Sequence, residues 1–163
     1  GLLPYNYISG EPIMGLAEGL PLIVRPSDSR FTLPNLMRAQ LYSAIAVLRI
    51  GNEILLDKEH VHIDRITGHG GYFTTPKVGQ TMVAAALNTP IYTMQTAGEG
   101  GAWGIALLAS YLVNNSAKLS LPDFLDKEVF AGNTGIEVAP DARDVEGFDK
   151  YMIRYKSGLA ISV

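Results

Sequence analysis

Apolar and polar residues alternate over residues 61–66, Val-His-Ile-Asp-Arg-Ile, which is the period of a half-buried strand. The chain then meets a glycine cluster, Thr67-Gly-His-Gly-Gly71, before a run over residues 76–87 that reads as a helix closing near Asn88. Residues 90–94 form a second short strand pattern. A second glycine cluster, Ala97-Gly-Glu-Gly-Gly101, leads into an apolar helix from Ala102. Strand, helix, strand, helix is the order of a parallel sheet with right-handed crossovers.

Upstream, residues 1–30 are rich in Gly, Pro and Ser and read as extended or looping chain, with one short strand at residues 22–24. Thr32 is a good N-cap and Pro34 falls in the first turn, so a long helix should run from there to about Leu56. Leu41, Ile45 and Leu48 share one face and Ala44, Val47 and Ile50 another, which predicts a substantially buried helix. Downstream, Ser120 with Asp123 starts a shorter helix ending near Phe130. Residues 131–140 are turn-rich, with an edge strand around residues 136–138. Asp141 or Asp144 caps a final helix whose Phe148, Tyr151, Met152 and Tyr155 recur at helical spacing.

Composition narrows the function. The chain has 163 residues, 47% hydrophobic and 18% charged, enough for one globular domain with a real core. A net charge of −3 without a Lys/Arg run argues against nucleic-acid binding. No cysteine is present, which removes disulfides, thiolate metal sites and cysteine nucleophiles and agrees with a cytoplasmic home. The apolar run over residues 102–113 is too short for a bilayer, and no signal-peptide pattern opens the chain, so no membrane partner is expected. The start at Gly1 without Met fits a fragment of something longer, as it does a processed terminus.

The candidate chemistry lies in the first glycine cluster. A strand ending in glycines at a helix start lets backbone approach a ligand and offers N–H groups to anions. The same pattern also closes ordinary turns, so the cluster alone does not decide between them. His69 carries either a stacking or proton-transfer role or none, because His tolerates unusual backbone angles in turns. Glu59, His60, His62 and Asp64 resemble a metal-ligand string, yet nothing else in the chain completes a site and no metal is assigned. Trp103 suits core or a subunit interface better than a cofactor platform.

Four stretches taken together resemble the carboxy-terminal part of the FGGY carbohydrate kinases, the family of xylulokinase, ribulokinase and glycerol kinase. Pro4-Tyr-Asn-Tyr-Ile-Ser-Gly-Glu11 is similar to the family's Pro-Tyr-x-x-Gly-Glu-Arg. Asn35-Leu-Met-Arg-Ala39 resembles the Leu-x-Arg-Ala that opens its long helix. Thr67-Gly-His-Gly-Gly71 stands where the family has Thr-Gly-Gly-Gly-Ala, its adenosine motif. Glu99-Gly-Gly-Ala-Trp-Gly-Ile-Ala106 resembles its Glu-x-x-Ala-x-Gly-x-Ala helix. These span residues 4 to about 112; the last fifty residues match only loosely, through Pro140-Asp141 and Tyr151-x-x-x-Tyr155. Pro12, Tyr42-Ser43 and His69 depart from the family pattern, and the stretch from Gly71 to Pro90 is a few residues longer. Those departures bear on sugar specificity and adenine contacts more than on the fold.

The resemblance implies an α/β, actin-like (ribonuclease H-like) ATPase domain with a mainly parallel sheet and packed helices. It leaves open whether the first strands of that sheet precede Gly1. Residues 1–163 would form a single domain, the carboxy-terminal nucleotide-binding part of a larger two-domain kinase. That kinase would use ATP, with Mg²⁺ arriving on the nucleotide, to phosphorylate a sugar, with a pentulose such as xylulose first. Gly68, Gly70, Gly71 and Thr74 are implied as adenosine contacts, and His69, Glu99 and Gly100 as a cleft wall. Glu99 and the glycines after it equally suit tight helix packing and the helix dipole. No Asp-x-Gly-Thr phosphate loop occurs here, so the catalytic Asp and the sugar contacts are expected in the amino-terminal domain, and this chain alone should be inactive. A non-catalytic nucleotide-binding module is the alternative, as is self-association into homodimers through an open sheet edge.

Overall fold

The structure is a computed structural model that describes residues 1–94, 97–115, 117–132 and 135–160. These residues fall into two compact units. The first comprises Gly1–Asp64, Met82–Thr89 and the described residues from Pro140 onward; the second comprises the described residues of Arg65–Thr81 and Pro90–Ala139. Among the described residues no helix is long and apolar enough to cross a membrane.

The first unit is built on an antiparallel pair, β1 (Leu3–Tyr7) and β2 (Leu20–Val24), in the register Leu3↔Val24, Tyr5↔Leu22, Tyr7↔Leu20. β2 contains the strand expected at residues 22–24, whereas β1 lies in a stretch read as loop. Pro4 and Pro21 hid the pair, since proline cannot donate to a ladder. A two-stranded sheet tolerates them because each strand has an outer edge with no ladder to supply. Hydrophobic burial then holds β1: Leu2, Leu3 and Tyr5 are all buried.

α1 (Leu33–Glu53) packs on β1. Thr32 caps it, its Oγ1 accepting from the Asn35 amide at 3.4 Å, and a π-helical turn, Ile54–Lys58, extends it as far as expected. Burial is narrower than expected. Ala39, Tyr42, Ser43, Ile45 and Ala46 are buried, while Leu33, Met37 and Leu48 are exposed. One stripe faces the sheet, so the second apolar face read from Ala44, Val47 and Ile50 is not core.

α5 (Ala142–Gly158) also packs on β1, and Asp141 caps it by accepting from the amides of Arg143 and Asp144 at 2.8 and 3.3 Å. Its Phe148, Tyr151, Met152 and Tyr155 are all buried, as the spacing predicts. Tyr155 stacks on Tyr5 with centroids 4.6 Å apart, and the Tyr5 hydroxyl donates to the Tyr155 carbonyl at 2.9 Å. Tyr42 of α1 meets Phe148 and Tyr151 edge to face, so one aromatic cluster joins strand and both helices. Arg49 is the polar counterpart. Its guanidinium donates to the Ala86 carbonyl at 2.6 Å and pairs with Glu53 and Asp149 at 3.1 and 3.2 Å.

The second unit holds a three-stranded sheet in the order β3 (Ile66–Thr67), β4 (Ile91–Thr93), β5 (Ile136–Val138). β3 and β4 are parallel, with Ile66↔Ile91 and Thr67↔Tyr92, and α2 (Val78–Leu87) makes the crossover. β5 joins β4 antiparallel, with Tyr92↔Glu137. The expected mainly parallel sheet is therefore corrected: the described residues form a mixed α/β arrangement with one parallel pair and two antiparallel ones. An antiparallel strand on the edge of a parallel pair is a common way to close such a sheet. The buried Gln80 of α2 donates to the carbonyls of Ile91 and Ile136 at 3.3 and 2.8 Å, tying β4 to β5.

Two further expectations change. The strand predicted over residues 61–66 shrinks to Ile66–Thr67, because its partner β4 begins only after Pro90 and offers three residues. α3 (Gly100–Asn114) has no buried residue, with Ile105 and Leu112 at 73% and 82% exposure, so it does not pack tightly along its length. Trp103 is half-buried against Phe130, with centroids 5.6 Å apart, in keeping with a packing role. The helix expected from Ser120 to Phe130 is α4 (Leu121–Phe124) followed by a π-helical turn, Leu125–Val129. Part of the turn-rich segment at residues 131–140, positions 133 and 134, lies outside the described residues.

Candidate functional site

The two glycine clusters lie against each other in the second unit. β3 carries the first in, and the Gly68 amide donates to the Tyr92 carbonyl at 2.8 Å, prolonging the parallel ladder by one step. Phe73 folds back over Gly68, where a Cβ would fall within 2.9 Å of three ring atoms, so a larger residue there would have to push the ring aside. The Gly70 amide donates to the Ala97 carbonyl at 2.6 Å, which joins the first cluster to the second.

Gly70 has φ 99° and ψ −179°, a region open essentially to glycine alone. This conformation reverses the chain into a single 3-10 turn, Gly71–Phe73, with the Phe73 amide donating to the Gly70 carbonyl at 3.0 Å. Among the described residues, no atom lies within 4 Å of a Cβ placed on Gly70 or on Gly71. The turn therefore presents a bare backbone ledge with free space above it, a shape that a flat ligand can approach closely.

Thr74 closes the turn. Its hydroxyl donates to the Gly71 carbonyl at 2.8 Å, so that proton serves the turn and only the oxygen lone pairs are left for anything else. Its methyl lies 3.4 Å from where a Cβ of Gly98 would be. His69 is exposed, and its ring rests on Gly100, the first residue of α3. Glu99 occupies the N-cap position of α3, exposed and without a capping hydrogen bond to the helix. All seven residues singled out from the sequence thus belong to these two adjoining turns. Phe73 completes them without any sequence signal to distinguish it, as do Ala97 and Gly98, which the sequence marked only as part of the second glycine cluster.

The alternating set after the π-turn does not assemble. His60 has φ 52°, which breaks the alternation, and His62 pairs with Asp64 at 2.9 Å on an exposed segment. Among the described residues no group of three or more His, Cys, Asp or Glu is placed to hold a metal ion. Among the described residues nothing on the ledge is arranged as a nucleophile with its base.

Solved structures share this fold. A ligand-bound xylulose kinase from Lactobacillus acidophilus superposes with a TM-score of 0.70 at 20% identity, over 99% of this chain and 32% of that one. A gluconate kinase from the same organism gives 0.68 at 20% identity, over 98% and 31%. A xylulose kinase from Rhodospirillum rubrum gives 0.61 at 21% identity, over 96% and 30%. The chain spans about a third of the length of these proteins. A comparison with curated protein sequences found no match. The family model for the C-terminal domain of the FGGY carbohydrate kinases matches residues 1–113, the stretch that holds the glycine turn, the ledge and most of α3, and the chain belongs to that family.

Proposed function

We propose that this chain is the adenosine-holding, carboxy-terminal domain of a cytoplasmic two-domain kinase that transfers the γ-phosphoryl group of ATP to a sugar hydroxyl. The observation that carries the reading is the open ledge at Gly70 and Gly71, in a chain of the carbohydrate kinase family. Adenosine lies along the ledge in this reading, its ring over the Gly70–Gly71 backbone, with Gly68 and Thr74 supporting the turn. His69, Glu99 and Gly100 form the wall beside it. The ledge excludes water from one face of the nucleotide and fixes its position. Phosphoryl transfer depends mainly on such positioning and on charge stabilisation, so a half-site that only holds adenosine does not turn over alone. Mg²⁺ would arrive with ATP in this reading, held mainly by the phosphates.

Xylulose is the first substrate candidate, and the likeness to a gluconate kinase puts an open-chain sugar acid second. The test is ATP-dependent phosphorylation of pentuloses, hexuloses and gluconate by the full-length protein, read as sugar-dependent ADP release. Turnover of one substrate class supports the kinase reading. ADP release with none of them overturns it in favour of a non-catalytic nucleotide-binding module. The isolated chain should show no sugar-dependent turnover.

A further inference from the structure

A cavity of about 310 Å³ lies between the end of α1, the π-helical turn that follows it and the residues that close α2. Its lining comes from two interior stretches of the first unit, residues 49–57 and 87–89. The volume is at the lower end of small-molecule sites.

One wall residue has polar capacity that nothing uses. Asn52 is only 7% exposed and lines the cavity, and its side-chain amide makes no hydrogen bond among the described residues. An amide carries two donors and an acceptor, and buried side-chain polar groups nearly all find partners. Thr89 is a second buried wall residue. Its hydroxyl donates to the Leu87 carbonyl at 3.0 Å, which leaves the oxygen lone pairs to accept.

The charges around the cavity largely cancel. Arg49 and Lys156 reach Glu53 at 3.1 and 2.8 Å, and Arg49 also reaches Asp149 at 3.2 Å. Two cations thus answer two carboxylates, while Asp57 and Asn88 are the exposed polar members of the lining. Leu56 and Leu87 add an apolar strip. Paired charge, an unused amide, a hydroxyl acceptor and an apolar strip together suit a molecule with many hydroxyls on a carbon frame and no charge of its own.

We propose that this cavity binds a small neutral polyol, its hydroxyls on Asn52, Thr89 and Asn88 and its carbon frame against Leu56 and Leu87. A hydroxyl both donates and accepts, so one such molecule can serve both ends of the Asn52 amide and donate to Thr89. The proposal is independent of the nucleotide reading, because none of these residues belongs to the glycine turns.

The test is a saturation-transfer NMR titration of the full-length protein, without ATP, using myo-inositol, cyclohexanol and cyclohexylamine. The three share a six-membered carbon ring and differ in hydroxyls and charge. Saturable binding of myo-inositol is expected, tighter than either of the others by about fivefold or more. Asn52→Leu should weaken it by about tenfold or more. The melting temperature of that variant should hold or rise, since an apolar side chain of similar size replaces a buried amide without a partner. Asn88→Gly, at an exposed position with φ 47°, suits the backbone there and should weaken binding by about threefold. Myo-inositol binding unchanged in Asn52→Leu belongs to another site and overturns the proposal. Should that variant lose its native circular dichroism, unchanged binding in Asn88→Gly overturns it instead. No saturation by myo-inositol means that water alone fills the cavity, and equal or tighter binding of cyclohexanol or cyclohexylamine means an apolar or cationic ligand. Each of these results also overturns it.

Discussion

The ring of His69 rests on the backbone of Gly100, so that a Cβ on Gly100 would lie 2.8 Å from the His69 Cβ and 3.0 Å from its Nδ1. The contact sets the orientation of the one bulky side chain in the first glycine cluster. It also gives Gly100 a specific reason to lack a side chain, which Gly101 and Gly104 do not share, since neither has a described atom within 4 Å. Gly100→Ala should therefore displace His69, whereas Gly101→Ala should leave it in place. Alanine gains about 1 kcal/mol over glycine inside a helix, so the Gly101 variant should melt at or above the parent temperature. If His69 walls the nucleotide, the KM for ATP of the full-length kinase rises only in the Gly100 variant.

The ledge separates backbone strain from ligand blocking. Gly70→Ala forces a side chain into a backbone region reserved for glycine and should destabilise by about 1–3 kcal/mol, although the space above it is open. Gly71→Ala meets no neighbour among the described residues and has no left-handed φ, so stability should change by less than about 0.5 kcal/mol. Its methyl nevertheless points into the space assigned to adenosine. A raised KM for ATP at unchanged melting temperature is the expected signature, and an unchanged KM would remove Gly71 from the proposed contacts.

Arg49 touches an α2 carbonyl, Glu53 of its own helix and Asp149 of α5 with one guanidinium. Arg49→Met should cost about 2 kcal/mol, read from urea unfolding, because a charge-assisted bond to a backbone carbonyl is lost and two carboxylates lose a partner. Arg49→Lys should recover little of it, since a point charge cannot reproduce three directions of donation.

Acid sensitivity should centre on Glu53. Partial burial pushes its carboxyl pKa upward, but hydrogen bonds and charges from Lys156 and Arg49 outweigh that and leave it below the usual value. A carboxylate with a lowered folded pKa stabilises above its unfolded value of about 4.5 and loses that contribution as pH falls through the folded one. Melting temperature should fall below that pH in the parent. In Glu53→Gln the acid slope should be shallower, and an identical slope would count against Glu53 as its source.

The aromatic cluster predicts the opposite limb. Burial pushes the Tyr5 phenol up to about 12, with Tyr155 adding to it, and burial also raises Tyr7 and Tyr151. Raised folded pKa values give stability that is complete below the ordinary phenol value of 10 and lost as pH climbs above it. Melting scans between about pH 9 and 12 should show a steep decline. Tyr151→Phe removes a hydroxyl with no partner among the described residues and should be neutral or stabilising. Tyr155→Phe breaks the bond from its hydroxyl to that of Tyr7, 2.8 Å long, and should destabilise by about 1 kcal/mol.

Local chemistry alone determined a good deal. Thr32, Ser120 and Asp141 all act as the N-caps their residue types predict, and the spacing of Phe148, Tyr151, Met152 and Tyr155 marks a buried helix face. Both glycine clusters and their helices follow from short-range rules, because caps, turns and 3.6-residue periodicity depend on neighbours a few positions away. What tertiary structure decided is which partner each segment meets. β1 exists because β2 lies beside it, despite a proline in each strand, and residues 61–65 stay outside the sheet because β4 offers no matching length. The antiparallel pairing of β5, the exposure of α3 and the seating of His69 on Gly100 depend on contacts between residues far apart in the chain. Pairing direction, burial and ring placement are properties of two surfaces together, and one stretch of sequence carries only its own half of each.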